Sequence, residues 1–79
     1  MENARLPYLL TFRDGRSAVT AGDAREVNIY PDDSDEGVLY GAVVPCDGKT
    51  YFITPQGAYV LQGNRWVPDS SIRDAFPWT

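Results

Sequence analysis

The chain contains no histidine, one cysteine, one lysine, and one methionine, which is its first residue. Each scarcity excludes some chemistry. Without histidine there is no Ser-His-Asp triad and no Cys-His nucleophile pair. Zinc held by one cysteine and no histidine would depend on carboxylates, which zinc centres rarely do. One cysteine cannot close an internal disulfide, which suits a reducing compartment. No apolar run approaches the roughly 20 residues of a membrane-spanning helix. The opening MENARLPYLL has an acid at position 2 and too short an apolar stretch for a secretory signal. These features predict a cytoplasmic protein with no membrane partner. Phosphate cradles are missing too: Gly37 and Gly41 are the closest glycine cluster, and no Lys-Ser/Thr follows them. No cofactor, metal or catalytic residue is expected.

Long helical windows are also absent. Gly or Pro at positions 7, 15, 22, 31, 37, 45, 48, 55, 57, 63, 68 and 77 leave no uninterrupted stretch above nine residues. A helix needs about 10 residues or more, whereas a strand needs about 4–8. Short apolar segments bounded by turn signals therefore predict an antiparallel β-protein. Its 79 residues predict one domain, 1–79, that buries about 60–65% of its unfolded surface. The ten aromatics supply much of the core, since each buries roughly 150–250 Å².

Several connections can be read in detail. Asp14-Gly15 suits a two-residue type I′ turn. That register sets Arg13 against Arg16, Phe12 against Ser17 and Leu10 against Val19. Tyr8, Leu10, Phe12 and Val19 then share the core face, with Leu9, Thr11 and Ala18 on the other. Residues 27–30 read as a strand ending at Pro31, with Asp23 to Glu26 as a competing capping box. The stretch 38–44 is apolar on both faces and predicts a central strand, with Gly41 as a bulge or bend and Pro45 as its end. Cys46-Asp47-Gly48-Lys49 is a second Asp-Gly turn. Thr54-Pro55-Gln56-Gly57 fits a type I turn, and Gly63-Asn64 a turn that sets Leu61 opposite Trp66. At the C-terminal end, Asp69 or Ser70 can cap a helical turn, Ile72 and Phe76 lie four apart, and Pro77 stops it. The expected fold is mainly β: one small antiparallel, curled or barrel-like sheet of six or seven short strands, with a short C-terminal helix.

The functional candidates come from charge. Residues 1–30 and 38–79 each balance their acids and bases, so the net charge of −4 resides in Asp32, Asp33, Asp35 and Glu36. This segment superficially resembles a calcium loop: with Asp32 first, Ser34, Glu36 and Gly37 stand at positions three, five and six. Position twelve is Val43, where a bidentate glutamate is required. The reading preferred here is an acidic patch, solvated or steering the chain to a basic protein. If Val38 and Tyr40 face outward, Tyr30 and Tyr40 join the acids in one surface of the hot-spot type. Cys46 reads as an incidental turn residue whose neighbour Asp47 disfavours a thiolate. The expected function is a non-enzymatic binding module, an inhibitor or adaptor that docks on a larger protein with a basic surface. Nucleic-acid-handling machines offer such surfaces, and a phage or mobile-element origin suits such a protein. The alternatives are a self-assembling β-protein, with a homo-oligomer as its product, and a small nucleic-acid-binding barrel. The lack of a basic groove disfavours direct nucleic-acid binding.

Overall fold

The computed structural model describes residues 7–20, 24–31 and 37–77. The strands are β1 Tyr8–Phe12, β2 Ser17–Val19, β3 Arg25–Ile29, β4 Leu39–Cys46, β5 Lys49–Thr54, β6 Gly57–Gln62, β7 Arg65–Asp69 and β8 Ile72–Pro77. They form two antiparallel sheets rather than one. One is three-stranded, in the order β2-β1-β8, and the other is a five-stranded meander, β3-β4-β5-β6-β7. There is no helix among the described residues.

The expected C-terminal helix is strand β8. It pairs with β1 from Tyr8↔Pro77 to Phe12↔Ile72, with a bulge at Arg73. The bulge explains the burial phase. Ile72 and Ala75 face the core, although they are three residues apart, and Phe76 points outward at 55% exposure. The helical signals are local ones. A segment of two turns gains little as an isolated helix, because nucleation is costly. Pairing with the free edge of β1 satisfies its backbone instead. The cap residue keeps its chemistry in another setting: Asp69 accepts hydrogen bonds from the Ser71 amide (3.1 Å) and hydroxyl (2.9 Å), now as a turn between β7 and β8.

The two Asp-Gly pairs fold differently. Asp47 and Gly48 both have positive φ (57° and 77°), the type I′ requirement, and join Cys46 to Lys49 across a two-residue loop. Gly15 has φ 96°, but Asp14 does not have positive φ. Here the Gly15 amide donates to the Phe12 carbonyl (3.0 Å), and the Phe12 amide donates to the Arg16 carbonyl (2.8 Å). This is a three-residue loop, a type I turn closed by a left-handed glycine. Two sets of contacts hold it. Asp14 accepts from the Arg16 amide (3.0 Å) and Nε (2.9 Å), while Arg13 donates its amide to Ser71 (2.9 Å) and its Nε to Ser70 (2.7 Å). The extra loop residue moves the register by one, to Leu9↔Val19 and Leu10↔Ala18. Leu10 and Phe12 remain in the core as expected, but Ala18 joins them and Val19 turns outward. The expected Arg13–Arg16 opposition is absent. Arg16 lies instead 4.8 Å over the Phe12 ring.

The other turns follow the sequence. Pro55-Gln56 joins Thr54 to Gly57, and the Thr54 hydroxyl accepts from the Gln56 and Gly57 amides (both 3.1 Å). Gly63, with φ 64°, opens the turn that sets Leu61 opposite Trp66. Strand β4 is central, between β3 and β5. It runs past Pro45 to Cys46, because Pro45 lies beyond the last described β3 pair, Arg25↔Val43. A missing N–H is tolerated at such an unpaired flank.

Each face of the five-stranded sheet has its own apolar cluster. On one, Ala42, Val44, Cys46 and Tyr51 meet Leu10, Phe12 and Ile72 of the three-stranded sheet, with Phe12 edge-on to Tyr51 at 6.4 Å. Cys46 is thus a core residue of β4 and not a turn residue. Burial and the neighbouring Asp47 push its thiol pKa up. On the other face, fully buried Phe52 packs against Tyr59 (6.1 Å between ring centres) and Trp66 (5.7 Å) with the rings tilted. Gly41 makes room for this packing. The β3–β4 register runs through it unbroken, so it marks no bulge there. A Cβ on Gly41 would collide with the Ile53 carbonyl oxygen and lie 2.9 Å from the Phe52 ring. The glycine permits a close approach of β5 to β4.

Candidate functional site

The acidic residues Asp32, Asp33, Asp35 and Glu36 lie outside the described residues, as do Asp23 and Trp78. The flanks of the acidic segment are described. The β3–β4 ladder ends at Ile29↔Leu39, and Tyr30 and Val38 follow immediately on either side. Tyr30 is 68% exposed, Val38 62% and Tyr40 55%. Pro31, between Tyr30 and the acids in the chain, is buried. Tyr40 is paired with Asn28, two residues from Tyr30. The two aromatics singled out in the sequence therefore stand together, exposed, at the base of the acidic segment. Tyr8 and Trp66 are half-buried, and Tyr51 and Tyr59 are buried.

A groove opens from Tyr40 into the space between the two sheets. Its volume is about 310 Å³, and its lining includes Tyr8, Glu26, Tyr40, Ile53, Ala75 and Pro77. The β1–β8 pair Tyr8↔Pro77 forms one wall, and β3, β4 and β5 form the other. Alternation along β3 and β4 puts Glu26 and Tyr40 on the same sheet face, one diagonal apart. The Tyr40 hydroxyl donates to Glu26 Oε1 at 2.7 Å. That bond, more than burial, raises the Tyr40 pKa above its ordinary value, because it favours the protonated phenol. Burial, and secondarily the charge of Glu26, raises the pKa of Tyr8.

Sequence reasoning misses Glu26 as a site residue. Its relation to Tyr40 depends on the β3–β4 register, and the long 30–38 connection carries no turn chemistry that sets one. It misses a second, apolar feature as well. Val19, Leu9 and Phe76 form a row across the outer face of the three-stranded sheet, with Val19 45% and Phe76 55% exposed. The local patterns of the sequence place Val19 and Phe76 against the core instead.

No group of three or more His, Cys, Asp or Glu side chains that would hold a metal occurs among the described residues. None of the described residues forms a helix long and apolar enough to cross a membrane. Comparison with protein-family models, curated proteins and solved structures gives no significant match to any of them.

Proposed function

We propose that this chain is a non-enzymatic protein-binding module of the cytoplasm, an inhibitor or adaptor encoded by a phage or mobile element. It docks the 32–36 acidic segment and the flanking Tyr30 and Tyr40 on a basic surface of a larger, nucleic-acid-handling protein. The observation that carries this reading is the placement of Tyr30, Val38 and Tyr40. Three large side chains are exposed at the base of the segment that holds the whole net charge. Exposed apolar side chains are individually ordinary, but aromatics grouped beside charge are typical anchors of interfaces. The acids would speed encounter and suppress wrong partners, while the aromatics would supply contact area.

The test replaces Asp32, Asp33, Asp35 and Glu36 with serine and measures affinity for the partner recovered from the source cell. The fold should be retained, and binding should weaken by about 10-fold or more at low salt. The gap between variant and parent should narrow as salt rises. Unchanged affinity at low salt overturns the electrostatic reading.

The outer row Val19–Leu9–Phe76 supports a second reading, self-association through the three-stranded sheet. Its strand β2 is an edge, and edges pair readily with copies. A sedimentation coefficient that does not change with concentration would remove this reading.

A further inference from the structure

The groove between the sheets has three properties that together select a ligand chemistry. Its lining combines one carboxylate, two tyrosines and several apolar side chains. Glu26 is exposed, and among the described residues its side-chain contact is the Tyr40 hydroxyl rather than an arginine or lysine. Its chain neighbour Arg25 projects to the opposite face by strand alternation. The Tyr40 hydroxyl fixes one carboxylate oxygen at 2.7 Å and leaves the other open. The same bond makes the Tyr40 ring richer in electrons, which improves it as a face for a cation. Ile53, Ala75 and Pro77 offer the apolar surface that the methylene stem of a long side chain covers. The volume of about 310 Å³ falls at the lower end of the range for pockets that hold small organic groups, about 300–1,000 Å³.

The geometry points to this groove as a receptor for a single arginine side chain presented by the partner, with Glu26 pairing the guanidinium and Tyr8 and Tyr40 flanking it. This inference rests on the protein-binding reading above and names the contact that would give it specificity. Arginine suits the site better than lysine, because a planar guanidinium can stack on a phenol ring while its edge engages a carboxylate. It also gives the charge complementarity a second component. The acidic segment would attract any basic surface, whereas the groove would select one side chain.

The probe is an acetylated, amidated Gly-Arg-Gly tripeptide, with citrulline in place of arginine as its neutral, nearly isosteric control. Both are titrated into the full chain at about 150 mM salt, where long-range attraction is screened, and backbone amide shifts are followed by NMR. The arginine peptide should give saturable shifts at Glu26, Ala42, Ile53 and Ala75, and citrulline should bind at least about fivefold more weakly. Glu26→Gln should bring the arginine peptide down to the citrulline level, and that variant's unperturbed spectrum would show the fold intact. Equal binding of the two peptides, or no saturable shift at these residues, overturns the proposal. So do shifts at the same residues that grow with protein concentration alone, because the occupant would then be a second copy. The serine variant of the acidic segment separates the two readings. If it keeps tripeptide binding but its affinity for the partner is unchanged, the acidic-segment reading fails alone. If it loses partner affinity while Glu26→Gln leaves tripeptide binding intact, the groove proposal fails alone.

Discussion

Gly41 and Gly48 both resist substitution, but for opposite reasons, and the difference is measurable. Gly48 has φ 77° and nothing within 4 Å of the point where a Cβ would stand, so alanine there meets a backbone penalty and no clash. A left-handed non-glycine residue costs about 1–2 kcal/mol. Gly41 has no positive φ, yet its Cβ would meet the Ile53 carbonyl oxygen, the Thr54 methyl at 2.8 Å and the Phe52 ring at 2.9 Å. None of these is the free end of a flexible side chain. Phe52 is fully buried and Thr54 nearly so, so β5 itself must move. Overpacking a core typically costs about 1–3 kcal/mol, and a collision with backbone belongs at the upper end, about 3 kcal/mol. A chain of 79 residues has a total stability of about 4–12 kcal/mol, so this one methyl group removes a large share. The assay is urea unfolding followed by the fluorescence of Trp66, which packs on Phe52, in a Trp78→Phe background that leaves one tryptophan. With a slope of about 1 kcal/mol/M, Gly41→Ala should lower the midpoint by about 3 M, and Gly48→Ala by about 1–2 M. Adding Thr54→Ser to Gly41→Ala should recover less than about 1 kcal/mol, because the carbonyl collision remains. A Gly41→Ala midpoint within about 0.5 M of the parent would refute the close-approach argument.

Three further outcomes follow from the packing and the titrating groups. Ile72→Ala should cost about 2–4 kcal/mol and Phe76→Ala less than about 1 kcal/mol, since only Ile72 is buried. Comparable losses in urea unfolding would mean that both side chains dock, as they would from a helix. Phenolate absorbance should show Tyr8, Tyr40 and Tyr51 titrating later in the native chain than in the unfolded one, and Tyr40 titrating earlier in Glu26→Gln. The sign for stability follows. A raised folded-state pKa stabilises the fold fully below the unfolded value of about 10, and that contribution is lost as pH rises through the folded value. Unfolding midpoints that rise across this alkaline range would contradict it. Cys46, buried in the core with its thiol pushed up, should react with a thiol reagent far more slowly in the native chain than in denaturant. Equal rates would mean that β4 does not hold it in the core.

Turn chemistry is the most legible part of the fold, because it is local. Asp47-Gly48 and Gly63-Asn64 each form the two-residue loop read from them, and that length fixes the register of each hairpin, down to Leu61 against Trp66. Asp14-Gly15 shows the limit of that argument. The same dipeptide supports a two-residue loop with both φ positive or a three-residue loop with only the glycine positive. The longer loop occurs where Asp14 holds Arg16 and Arg13 reaches Ser70 and Ser71. The Arg13 contacts link positions 57 or more residues apart, so no local reading contains them.

The candidate site divides along the same line. Tyr30 and Tyr40 are visible in the sequence as aromatics flanking an acidic segment, and their joint exposure depends on a condition that the β3–β4 ladder meets. Glu26 is invisible there as a partner of Tyr40, because its role needs a register set across a long connection. The groove is invisible as well, since its two walls come from different sheets.

The sequence by itself determined that this chain is built of short antiparallel strands, where most of its turns fall, and that its net charge is confined to one connection. Backbone preference, glycine conformational freedom and charge are properties of neighbouring residues and can be read one segment at a time. Only the tertiary structure decided that there are two sheets, that residues 72–77 form a strand, that Val19 and Phe76 face outward, and that Glu26 meets Tyr40. Each of those depends on the register of a strand pair or on which edge a strand finds to satisfy its backbone, and neither is fixed within a single segment.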